Sequence, residues 1–284
     1  MNDQATQLRN LVLRASRQAS AEQVPAPRLI VVSGGRSGLG TTTIAVNLAV
    51  ALAGHGSRTV LIDADLAHSN LAELCGANVS PGVGDVLAAR RDIHEVLQLG
   101  PSGIQLAASS RLASPGLGQS EKSQIRLQKQ ILALGRYADI VVLDAGSGGT
   151  PLASRLWQAA DQVLLVTSGE AVAVMDSYAL VKTVCAKRAA AMPVTLLVNH
   201  ANSLAVAQDI HRRIDQSCCR FLGLTIPLAG YLATEPAAAK AASAGVPLIL
   251  HQPTSPWSLA MEQLAWKLLA TDEATETKPW GKAA

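Results

Sequence analysis

Charge and aromatic rings are both scarce in this chain of 284 residues. Only 16% of it is charged, 24 Lys and Arg against 21 Asp and Glu, leaving a net charge of +3. So small an excess excludes a nucleic-acid coat or a strongly electrostatic membrane binder, and no nucleic-acid partner is expected. One Phe, three Tyr and four Trp are too few for a stacking platform on single strands. The four cysteines, Cys75, Cys185, Cys218 and Cys219, show no C-x-x-C spacing, which fits reduced and mostly buried thiols. No stretch approaches the roughly 20 apolar residues of a membrane span, and MNDQATQLRNLVLRASRQ has no apolar signal-peptide core. A cytoplasmic protein is expected. The six histidines are scattered without metal-ligand spacing.

What is present is apolar: 49% of residues, enough for a large core and incompatible with disorder through the bulk of the chain. Short continuous runs recur at 29–32, 59–62, 104–107, 140–143, 163–166, 194–198 and 224–228. Continuous rather than alternating, they have the form of strands covered on both faces. Helix-like stretches at 42–52, 125–134, 177–191, 205–215, 237–244 and 258–269 lie between them. The alternation predicts one doubly wound α/β domain with a mostly parallel sheet of about seven or eight strands. Its expected limits are 28–270, after an N-terminal helix and linker over 1–27 and before a polar tail over 271–284.

The first strand runs into Gly-Gly-Arg-Ser-Gly-Leu-Gly-Thr-Thr-Thr. Gly35 and Gly40 stand at the G-x-x-x-x-G spacing of a phosphate loop. Glycines let successive amides point inward at a helix N-terminus, making an anion cradle. Gly35, Gly38 and Gly40 keep that backbone half, and Thr42 keeps the hydroxyl for Mg²⁺. The lysine that would bridge the outer phosphates is missing, because Thr41 holds its place. No near neighbour can replace it: the first lysine in the chain is Lys122. Loss of one charge-assisted phosphate contact costs about 1.5–3 kcal/mol of binding, and more where transition-state charge is stabilised. Binding of ATP with Mg²⁺ is therefore expected to outlast rapid hydrolysis. Asp63 and Asp65 close the second strand, and Asp144 ends Ile-Val-Val-Leu-Asp in the manner of a Walker B acid. At the carboxyl ends of parallel strands these acids converge on a ligand crevice; taken singly, each could equally cap a turn.

On these residues the chain resembles the MinD/ParA class of deviant-Walker ATPases. The resemblance continues through NLAVALA at 47–53, the Asp-Ala-Asp-Leu segment at Asp63, and AADQVLLVTSGEAVAVMDSYALVK from Ala159. Within the class it is most similar to the FlhG (FleN, YlxH) flagellar-number regulators, on Asp3-Gln4-Ala5 with Leu8-Arg9, GPSGIQLAASS at 100–110 and FLGL at 221–224. The resemblance implies an ATP-bound homodimer with nucleotides between the subunits. Residues 35–43 of the loop (Gly35, Arg36, Ser37, Gly38, Leu39, Gly40, Thr41, Thr42, Thr43) would hold the phosphates, and Asn199 would touch adenine. Thr42, Asp63 and Asp144 match the metal side, and Asp65 matches the residue that positions the attacking water. Arg36 stands where the family's signature lysine reaches into the partner, and Ser37 replaces a glycine of the pattern. Both family lysines are thus absent.

The resemblance also implies that the N-terminal segment engages FlhF, an SRP-type GTPase, through Asp3, Gln4, Ala5, Leu8 and Arg9. Leu8, Leu11, Val12 and Ala15 fall on one helical face, and so short a helix gains stability by docking. The family's basic C-terminal membrane helix is not evident here, which leaves only transient contact with the inner face of the plasma membrane. The leading expectation is a FlhG-like regulator with weak or absent hydrolysis. The alternatives are a working ATPase switch, a nucleotide-free scaffold, and a CpaE/TadZ-like pilus-localisation protein.

Overall fold

The computed structural model describes residues 25–79, 81–109, 120–186 and 192–276. The N-terminal residues Asp3, Gln4, Ala5, Leu8 and Arg9 lie outside the described residues. Eight strands form one sheet: β1 (Arg28–Gly34), β2 (Thr59–Asp63), β3 (Gln98–Leu99), β4 (Gln105–Ala107), β5 (Ile140–Asp144), β6 (Gln162–Thr167), β7 (Val194–Val198) and β8 (Leu228–Tyr231). Their order is β3-β4-β2-β5-β1-β6-β7-β8, parallel throughout except for the short β3, which pairs antiparallel with β4. The doubly wound, mostly parallel sheet expected from the sequence is the one observed.

Successive residues of a strand face opposite sides, and here both sides are apolar. Leu29 and Val31 of β1 join a core beneath α4 (Glu121–Leu132), α5 (Pro151–Ala159), α6 (Ala171–Cys185) and α7 (Leu204–Leu222). Ile30 and Val32 join the opposite core, under α1 (Thr41–Gly54), α8 (Ala237–Ser243), α9 (Leu248–His251) and α10 (Pro256–Glu276). Two four- and five-residue helices, α2 (Leu71–Leu74) and α3 (Val83–Leu87), complete the set. Helix α1 is buried on nearly all sides, from Ile44 through Leu52, because the sheet covers one flank and α10 the other. Its interior Asn47 accepts from the Ile249 N–H at 2.8 Å and so ties α9 to α1.

The seventh expected strand is displaced. Residues 224–228 read as an apolar run, yet β8 begins at Leu228. Asp215 accepts the Ile226 N–H at 2.8 Å, and the His211 ring meets the Ile226 carbonyl at 2.8 Å, so this segment is bonded to α7 and not to β7. Ladder pairing starts with the Leu196 N–H donating to the Pro227 carbonyl. Helix α7 runs on to Leu222, past the expected stop at 215 and through Cys218-Cys219; α10 continues to Glu276, beyond the expected limit at 270. All four thiols are free, with Cys75 and Cys218 buried. Among the described residues no helix is long and apolar enough to cross a membrane.

Candidate functional site

Strand β1 lies between β5 and β6, so the loops leaving its two neighbours diverge at its carboxyl end and open a crevice there. The loop over 35–40 enters that crevice and turns into α1. Gly40, at φ 80°, sets the turn, and no side chain caps α1 or places an acid in its first turn. The first amides of this 14-residue helix therefore offer partial positive charge without an internal partner. Gly38 has φ 85° and open space where a Cβ would stand. Gly35 is glycine for a different reason: a Cβ there would strike the backbone of Asp176 and Ser177 in α6. Leu39 is buried and anchors the loop, whereas Ser37 is exposed. Thr41, in the lysine position, is 9% exposed.

The acids gather opposite. Asp63 and Asp144 are register partners on β2 and β5, each 1% exposed. The Gly146 N–H donates to Asp144 Oδ1 at 3.1 Å, while Asp144 Oδ2 is buried without a hydrogen-bond partner. Burial pushes the Asp144 carboxyl from 3.8 up to about 6; the Thr42 hydroxyl and the Gly146 N–H pull the other way, and the Asp65 charge adds to the rise. Burial, with the neighbouring charge of Asp144, holds Asp63 well above the usual carboxylate range. The Ser69 hydroxyl stands 2.6 Å from Asp63 Oδ2 and 2.6 Å from the Ser109 carbonyl. One hydroxyl proton serves only one acceptor at a time, so a proton on Asp63 would complete the chain from Asp63 through Ser69 to Ser109.

Asp65 lies at the rim, its side chain 12% exposed. It accepts the His68 N–H at 3.2 Å, and its own N–H donates to Asp63 Oδ1 at 3.1 Å. Its carboxylate abuts Gly146, where any Cβ would collide with it. The crevice thus unites Thr42, Asp63, Asp65 and Asp144 with the turn of the phosphate loop. Arg36 stands apart, 3.4 Å from Glu170 at the start of α6, with the Glu170 side chain largely in solvent and that of Arg36 partly so. Asn199 lies beneath the loop: its amide donates to the Leu39 carbonyl at 2.9 Å.

An orphaned buried carboxylate oxygen, with a hydroxyl on the adjoining helix, suits a hard cation such as Mg²⁺. Among the described residues no three His, Cys, Asp or Glu side chains form a metal cage. That accords with Mg²⁺ sites that rest on one or two carboxylates and draw the remaining ligands from phosphates and water. Ser69, Ser109, Glu170 and His68 were not singled out from the sequence. His68 meets Asp65 three residues away, whereas the others act through contacts six to 134 residues away in the chain, for which no spacing rule exists.

Comparison with known proteins follows the same lines. A family model for the AAA domain matches residues 27–192. The antiactivator FleN of Pseudomonas aeruginosa is 28% identical over 241 residues, covering 85% of this chain and 86% of FleN. The flagellum site-determining protein YlxH of Helicobacter pylori is 24% identical over 185 residues, 64% of this chain and 62% of YlxH. Among solved structures, the septum site-determining protein MinD of Pyrococcus horikoshii, complexed with Mg-ADP, superposes with a TM-score of 0.69 at 21% identity, over 89% of this chain and all of that one. The chain belongs to the AAA-domain family, and its fold is that of the MinD/ParA proteins.

Proposed function

We propose that this AAA-domain protein is a FlhG-like regulator of flagellar number or placement, which binds ATP with Mg²⁺ and turns it over slowly or not at all. The observation that carries the reading is the pairing of an uncapped α1 N-terminus with the orphaned Asp144 carboxylate and its neighbour Thr42, in a crevice without lysine. In this reading the amides over 38–43 hold the phosphates, Thr42 and Asp144 hold Mg²⁺, with Asp63 behind them, and Asp65 orients water. Bound Mg²⁺ would supply the charge neutralisation for which no lysine is present. Arg36, across from Glu170, is the residue that reaches a second subunit when the ATP-bound homodimer forms. Similarity to FleN and YlxH supports the flagellar role, and Asp3, Gln4, Ala5, Leu8 and Arg9 are proposed to engage an FlhF-like GTPase. In this reading the protein works in the cytoplasm and visits the membrane only peripherally.

Phosphate release from Mg-ATP, measured beside Asp65→Ala, tests the catalytic half: the expected rate is near background and indifferent to the substitution. A working ATPase switch is the second reading, favoured by the complete set of acids, and it requires a rate that Asp65→Ala abolishes. Removing residues 1–20 tests the partner half, with loss of GTPase stimulation expected. Unchanged stimulation would remove the N-terminal segment from the account.

A further inference from the structure

We propose that residues 8–15, the apolar face of the N-terminal segment, dock on their own chain, in a groove at the β3 edge of the sheet walled by Leu97, Leu99 and Tyr137. The groove encloses about 350 Å³ and is lined by His94, Leu97, Gln98, Leu99, Gln105 and Tyr137. Strand β3 is the outermost on its side, with no strand beyond it among the described residues. Leu99 is 80% exposed and Tyr137 57%, while Leu97 is half-buried against the core. Large apolar side chains left together in solvent mark a docking surface. Charge does not define it: Arg58 clasps Asp139, two residues from Tyr137, and Glu95 accepts the Asp92 N–H beside His94. Gln98 is likewise spent on the backbone of Asn78. The occupant that suits these walls is therefore apolar. With only two residues in its ladder, β3 is too short to template an added strand, so the fitting shape is a helix face.

The chain itself supplies such a face within reach. Leu8, Leu11, Val12 and Ala15 stand at i, i+3, i+4 and i+7, about 11 Å of helix. Residues 1–24 lie outside the described ones, but the point where they join the domain is defined. Pro25 rests on Gly135, where a Cβ would strike its carbonyl, and Gly135 is two residues from Tyr137 in the chain. Gly135 leads into β5, which lies on the same side of β1 as β3. The segment thus meets the domain in the half of the sheet that holds the groove, and not in the β8 half. From β1 to β3 is four strand spacings, about 19 Å. The nine residues 16–24 span up to ~30 Å when extended. So short a tether keeps the face at roughly millimolar effective concentration, which lets a contact of a few side chains persist. Where Leu8 and Arg9 serve a GTPase as proposed above, the docked state withholds them, and the partner must compete with the groove. That consequence rests on the partner reading; the docking does not.

Hydrogen exchange on the full chain, followed by mass spectrometry, tests the docking. Amides over 8–15 are expected to exchange about tenfold more slowly than in a free peptide of residues 1–20, to the same degree at every protein concentration. Leu99→Asp combined with Tyr137→Asp should remove that protection, and because both side chains already stand in solvent the melting temperature should hold. Leu11→Asp, which leaves the domain untouched, should remove it as well, so a misfolded double variant does not decide the matter. Exchange in the wild type at the free-peptide rate overturns the proposal. So does protection that survives the paired substitution in a folded variant, which seats the helix elsewhere, or protection that grows with protein concentration, which places it on a second copy. Failure of the segment to stimulate a GTPase would overturn the partner reading and leave the docking standing.

Discussion

The two sides of the crevice are built from different materials. On the acidic side, side chains do the work: Asp63, Asp65 and Asp144 stand together with Thr42, two of them buried, and one carboxylate oxygen lacks a partner. On the loop side the main chain does it: an uncapped helix start and two left-handed glycines carry the positive field, with Arg36 turned aside to Glu170. If the crevice holds phosphate as proposed, anion recognition and charge neutralisation are separable tasks in one fold. Backbone amides shape a pocket for phosphate whatever the side chains are, whereas compensating its full charge needs a cation from somewhere. With no lysine in the loop, in the proposed reading that burden falls on the metal that the acids would hold.

The largest expected effect tests this division directly. Chelating Mg²⁺ should weaken ATP binding by roughly a hundredfold or more, since a bound metal is worth several kcal/mol of charge stabilisation; calorimetric titration with and without EDTA would show it, and equal affinities would break the comparison. Next comes Asp144. A folded-state value of about 6 against 3.8 means the folded protein binds that proton more tightly than the unfolded chain. Stability contributed by the carboxyl is thus greatest at low pH, declines as pH rises from about 4, and the full cost stands above about 6. In Mg²⁺-free buffer Asp144→Asn should stabilise by about 3 kcal/mol near pH 8 and by only about 1 kcal/mol near pH 4.5. Denaturant melts at both pH values check it; a gain independent of pH would contradict it. Thr41→Lys should then raise ATP affinity by roughly ten- to a hundredfold, from the ~1.5–3 kcal/mol of a charged contact, and reduce the dependence on Mg²⁺. The smallest effect is expected from Glu170→Ala: an exposed ion pair contributes ~0.5 kcal/mol or less, so thermal stability should barely move.

Much of the sheet could be read in advance because buried parallel strands announce themselves as short apolar runs, and β1, β2, β5, β6 and β7 all do. The run at 224–228 failed as a guide because Asp215 and His211 capture it for α7, a choice made by residues that precede it on a helix. The acids were legible because strand ends bring them together by topology alone. What they touch was not: Ser69, the Gly146 turn and the Leu39–Asn199 bond depend on loops meeting in space. Gly35 is the instructive case, identified by spacing as part of an anion cradle and found pressed against a helix backbone.

That contact has a mechanical consequence. With no room for even a methyl group between Gly35 and the backbone of Asp176 and Ser177 in α6, the loop and the helix cannot move independently. Helix α6 has 15 residues and extends for about 22 Å, and its second turn, at Asp176 and Ser177, rests against the phosphate loop. A shift of the loop toward the helix would therefore have to be shared by α6, the helix that ends at Cys185 on the flank of the sheet.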